Sequence, residues 1–133
     1  MDADRQIARE VTDAANAIVA AFGGHRTEDY FGSFSPDATF VFYNAPDRFD
    51  SLAQFRAEWD RSEREDGLRV LECVSSDQMV QTFGDFAVFS HTIRTRLRTN
   101  AGQEELTERE TVVFAKQDDG RWLAVHEHLS PYA

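Results

Sequence analysis

Apolar residues Ile7, Val11, Ala14, Ile18 and Phe22 recur three or four positions apart, and Ala15 and Val19 widen the stripe. This spacing predicts an amphipathic helix over 5–22, which Gly23-Gly24 ends. A short second helix is expected over Thr27–Ser33, with Thr27 as N-cap and Glu28 and Asp29 in its first turn. Ser35-Pro36-Asp37 breaks it, and the β-rich run 38–44 reads as a strand. A third helix is expected from Ser51. Ser51-Leu52-Ala53-Gln54 fits a capping box, and Leu52, Phe55 and Trp59 follow at helical spacing. The charged run 60–66 is its solvated face, out to Gly67. Beyond Gly67 the period changes from 3.6 to 2. Strands are expected at 68–82, 85–98, 106–117 and 121–129, with turn signals at Gly84-Asp85, Asn100-Ala101-Gly102 and Asp118-Asp119-Gly120.

Helices first and hairpin-connected strands afterwards specify an α+β fold, not an alternating α/β one. The expected product is one domain over 1–133: an antiparallel sheet with the N-terminal helix against one face. The other face must be polar or covered by a second subunit.

Composition narrows the partners. Eleven Phe, three Tyr and two Trp argue for a proper core. A net charge of −10 disfavours nucleic acid, which needs a basic surface. No apolar run approaches the length of a membrane span, and Asp2 and Asp4 do not suit a signal peptide, so a cytoplasmic protein without a membrane partner is expected. The lone Cys73, in a strand-like context, reads as a buried small hydrophobe.

The last predicted strand carries the most chemistry. Strict alternation puts Leu123, Val125, Glu127 and Leu129 on one face and Trp122, Ala124, His126 and His128 on the other. A carboxylate inside an aliphatic row is unusual. The preceding strand offers Glu110, Val112 and Phe114 as a row, and the one before it Val88, Ser90, Thr92, Arg94 and Arg96. If these rows share the concave face, Glu127, Glu110, Thr92 and Arg94 converge, with Tyr30, Phe31, Tyr43 and Trp59 as walls. That is the make-up of a small-molecule pocket. Two readings of Glu127 stand: an acid/base group raised by desolvation, or one half of a structural ion pair with Arg94. Trp122, His126 and His128, with Arg109, Thr111, Val113, Phe89 and Ile93, are expected on the outer face, in a homodimer interface. His126 and His128, with His91 and a carboxylate, could form a zinc set. The interface reading is preferred, and neither metal nor cofactor is expected.

The segment Phe34-Ser35-Pro36-Asp37-Ala38-Thr39-Phe40 and the ending Arg109-Glu110-Thr111 … Gly120-Arg121-Trp122 … Val125-His126-Glu127-His128-Leu129-Ser130 resemble the nuclear transport factor 2-like superfamily. Within it they are most similar to the SnoaL-like group and the association domain of calcium/calmodulin-dependent kinase II. The resemblance implies a cystatin-like cone: a curved antiparallel sheet wrapped around the helices, with a pocket at the wide end. It extends the expected ligand contacts to Val112 and Leu129. These positions match pocket arginines of the kinase domain, which weakens any carry-over of its anionic-ligand site. The expected function is binding of a hydrophobic or amphipathic small molecule, with cofactor-free isomerase, cyclase or dehydratase chemistry at Glu127, Glu110 and Arg94. The alternative is a non-catalytic binding or assembly module.

Overall fold

The computed structural model describes residues 2–132. Helix α1 (Asp2–Gly23) and the short α2 (Thr27–Phe31) precede strand β1 (Phe34–Phe42). Helix α3 (Leu52–Arg61) runs into a π-helical turn (Ser62–Asp66), and four strands follow: β2 (Arg69–Phe83), β3 (Phe86–Thr99), β4 (Gly102–Lys116) and β5 (Trp122–Pro131). They form one sheet in the order β1-β5-β4-β3-β2. The class is α+β, as expected, but the sheet is mixed: β1 lies parallel to β5 while every other pair is antiparallel. No helix among the described residues is long and apolar enough to cross a membrane.

Helix α1 buries Val11, Ala15, Ile18 and Ala21, four of the positions in or beside the periodic stripe. Helix α2 starts one residue earlier than expected: Arg26 occupies the N-cap position and makes no side-chain cap. Strand β1 also starts early, because Ser35-Pro36-Asp37 lies within it. Pro36 is tolerated there because β1 is an edge strand, and its pairing with β5 is irregular between Phe34 and Thr39. Ser51 caps α3 as expected: its Oγ accepts from Gln54 N at 3.2 Å, while Gln54 reaches back to Asp50 N at 2.8 Å.

Three β-bulges in the antiparallel pairs decide which side chains face inward. Between β4 and β5, Val113 pairs with His126 but Phe114 pairs with Ala124, so Val125 is an extra residue. The alternation flips there. Trp122 and Ala124 therefore share the concave face with Glu127, while His126 and His128 face outward. Trp122, expected in a dimer interface, is 7% exposed, and its indole N–H donates to Glu10 Oε1 on α1 at 3.0 Å. Strict alternation across the bulge was the error. The other two lie in β2: one between Val70 and Glu72, and one between Ser76 and Met79, opposite His91, with Asp77 at φ +53°.

Strand β3 also faces the other way from expectation. Ala87, Phe89, His91, Ile93 and Thr95 are buried inward, so Phe89 and Ile93 belong to the interior and not to the outer face. The core joins these to an aromatic cluster from the helices and β1. Phe40 and Phe55 lie 4.6 Å apart between ring centroids, and Tyr30 and Trp59 5.6 Å.

Candidate functional site

The concave face holds apolar residues beneath the helices and polar ones toward its open end, where a cavity of about 240 Å³ remains. Its walls include Ile18, Phe22, Tyr30, Phe55, Trp59 and Ile93. Its acidic side comes from consecutive inward positions of β4, Glu108 and Glu110, together with Glu127 of β5.

Register explains how these groups meet. Glu127 pairs with Val112, which places Glu110 on the diagonal, within reach of a long side chain. Glu110 faces His91 directly across β3–β4, and His91 Nε2 lies 2.7 Å from Glu110 Oε1. His91 Nδ1 lies 2.6 Å from Ser75 Oγ, which also accepts from Gln78 Nε2 at 2.9 Å. His91 thus bridges Ser75 and Glu110 through its two ring nitrogens. Glu110 is held in place by His91.

Glu127 is 3% exposed and has no basic partner among the described residues. Burial pushes its carboxyl well above the ordinary carboxylate range; the charge of Glu110, a hydrogen bond to Glu110, and the charge of Glu108 act in the same direction. All of these causes favour the protonated form of Glu127. Burial also raises Glu108, opposed by a hydrogen bond from Tyr43 and reinforced by Glu110. Tyr43 donates to Glu108 Oε2 at 2.7 Å, and desolvation with this bond pushes its phenol up to about 12. Burial pushes the Cys73 thiol up to about 11, so the thiol at the cavity wall is not a nucleophile at neutral pH.

One side of the cavity is pinned. Ser62, at the start of the π-helical turn, lines it. The next residue, Glu63, bonds His25 Nε2 at 2.7 Å, and His25 Nδ1 accepts from Val70 N at 2.9 Å. Gly67 closes the turn at φ +67°, a conformation suited to glycine.

The expected site residues divide clearly. Tyr30, Trp59, Leu129, Glu110 and Glu127 line the cavity, and Tyr43 reaches it through Glu108. Phe31 and Val112 are buried beside it, in the core. Thr92 and Arg94 lie on the outer face, because β3 presents its odd-numbered residues inward here. Arg94 is exposed and faces Glu105 at 3.7 Å, so the ion pair considered for Glu127 does not form. His91 lies on the opposite face from His126 and His128, which breaks up the considered zinc set; among the described residues no group of three is arranged to hold a metal ion. His126 Nδ1 lies 2.8 Å from Thr39 Oγ1, and burial, then the charge of His128, lowers its pKa. The sequence reading missed Glu108, Ser75 and the role of His91. The spacing of Glu108 and Glu110, two apart on one strand, was the available signal.

Residues 11–133 match the model of a known domain family. The chain belongs to the SnoaL-like domain family. Its fold is that of the nuclear transport factor 2-like superfamily. Solved structures similar to this SnoaL-like chain include a nuclear transport factor 2-like superfamily protein from Salmonella enterica, 17% identical, with a TM-score of 0.79 over 98% of this chain and 94% of that one. Another is a ketosteroid isomerase-like protein from Erwinia carotovora, 17% identical, TM-score 0.76, covering 94% and 95%. A third is the calcium/calmodulin-dependent kinase II hub of S. rosetta, 20% identical, TM-score 0.74, covering 92% and 95%. At these identities the likeness is one of fold. A comparison with curated protein sequences gave no match.

Proposed function

We propose that this SnoaL-like domain binds a small organic molecule in its cavity and moves a proton on it, without a cofactor, in an isomerisation, cyclisation or dehydration. Glu127 is the acid that gives its proton to the ligand, and Glu110 is the base that takes a proton from it. The observation that carries the reading is Glu127 itself: a buried carboxyl at the cavity, with Glu110 on the diagonal beside it and no basic partner among the described residues. A carboxyl kept protonated near neutral pH is suited to general acid catalysis, whereas a merely structural carboxylate would be paired. His91, held by Ser75, orients Glu110 as a positioning residue. Glu127→Gln is the test. The near-isosteric amide should keep the fold and abolish turnover of a substrate found by screening. Full turnover by this variant would reject Glu127 as the acid.

We further propose that the outer sheet face pairs two copies of the chain. His126, His128, Thr111 and Val113 remain on that face, with exposed Met79 and Val74 farther along it; Trp122 does not. A mixture of Met, aliphatic, His and Arg residues suits such an interface.

A further inference from the structure

Resting on the acid/base reading of the same cavity, we infer that its ligand is a small organic amine with an apolar body and a hydrogen-bond-accepting oxygen. Two independent observations point there. The first is the charge of the walls. Glu108, Glu110 and Glu127 face the cavity from the sheet and Glu58 from α3, and among the described residues no Lys, Arg or His lines it. The other titratable groups at this site are Tyr30 on α2 and Cys73 on β2, which are neutral acids, and Tyr43 and His91, which reach it through Glu108 and Glu110. Glu58 is paired with Arg61, so it adds little net charge. An anion entering here meets carboxyls and no cation. An ammonium meets partners, and the faces of Trp59, Tyr30 and Phe22 suit a cation as well.

The second observation is Trp59. It lines the cavity and is 5% exposed, and its indole N–H is buried with no acceptor among the described residues. A buried donor without a partner is costly, and a ligand oxygen would relieve it. The carboxyls call for a donor and Trp59 for an acceptor, so the ligand carries both.

Binding is a proton exchange. If the neutral amine enters, the Glu127 O–H bond breaks, an N–H bond forms, and a carboxylate–ammonium pair results. If the ammonium enters from solvent, the Glu127 proton leaves to buffer. Net proton release from the ammonium is the signature of this site.

The test is calorimetric titration of the whole chain with phenethylamine, phenethyl alcohol, hydrocinnamate and tyramine, in buffers of different ionisation enthalpy. Phenethylamine should bind at least ~10-fold more tightly than the alcohol, with buffer-dependent heat showing proton release, and hydrocinnamate should not bind. Affinity for the amine should rise with pH as Glu127 ionises more easily. Tyramine should bind more tightly than phenethylamine, and Trp59→Phe should remove that difference alone. The proton release needs no variant, so a poorly folded mutant does not spoil the test. Binding of the alcohol as tight as that of the amine, binding of hydrocinnamate, or binding of neither amine overturns the inference. If the amine inference fails while Glu127 still titrates abnormally high, the acid/base reading survives without it.

Discussion

Glu127 shows how far one residue can be read from its neighbours in sequence. Its aliphatic row marked it as unusual, and the structure buries it beside Glu110. What the row could not supply was its partner. Arg94 was in register only if β3 presented even-numbered residues inward, and β3 presents odd-numbered ones. The two readings now make different stability predictions. An ion pair would cost about 3–5 kcal/mol on loss of either charge. With Arg94 exposed on the outer face, Arg94→Met should change stability by no more than about 0.5 kcal/mol. In thermal melts, the double mutant with Glu127→Gln should equal the sum of the singles. A recovered double mutant would contradict this geometry. The pH dependence has a definite sign. A carboxyl raised in the folded state holds its proton more tightly there than in the unfolded chain. Its favourable contribution is present at acid pH and is lost as pH rises from the ordinary carboxylate value toward the raised one. Glu127 and Glu108 should therefore make the protein less stable as pH climbs through that window. Glu127→Gln should flatten the trend and raise stability on the alkaline side, as measured by denaturant midpoints across pH.

At the level of elements, period and capping signals located nearly every helix and strand because they are local. Helix α1, the Ser51 cap and the four long strands needed only neighbouring residues. The bulges did not. The extra residue at Val125 is visible only in the pairing with β4, and it moved Trp122 from the proposed interface to a place beneath α1. Trp122→Ala should accordingly destabilise the fold by about 3–5 kcal/mol in chemical denaturation, as loss of a large buried aromatic does. An effect on association alone would restore the interface role. Gly67 is a second element-scale constraint. A side chain there would sit at positive φ, with the first added carbon pressed against the Asn100 amide. Gly67→Ala should cost at least about 1 kcal/mol, because both strain and a clash oppose it.

The whole molecule is a half-open cone whose apolar end is packed and whose acidic end is hollow. The fold class was legible because element order and periodicity survive local errors. The site was legible only in part: Glu110, Glu127, Tyr30, Trp59 and Leu129 meet at the cavity, while Thr92 and Arg94 fall outside it. Face assignment propagates through every strand of a sheet, so a single parity error displaces a whole row. Light scattering at micromolar concentration should show a dimer, and Val113→Asp on the outer face should dissociate it without loss of the fold. A monomeric parent protein would leave that face without a partner copy. The central claim, a carboxyl kept protonated inside the cavity, is tested most directly by carbon-13 carboxyl NMR titration of the glutamates. The expected result is one resonance, absent in Glu127→Gln, that titrates well above the ordinary carboxylate range and whose midpoint shifts in Glu110→Gln. A Glu127 resonance titrating in the ordinary carboxylate range, indifferent to Glu110, would contradict the account.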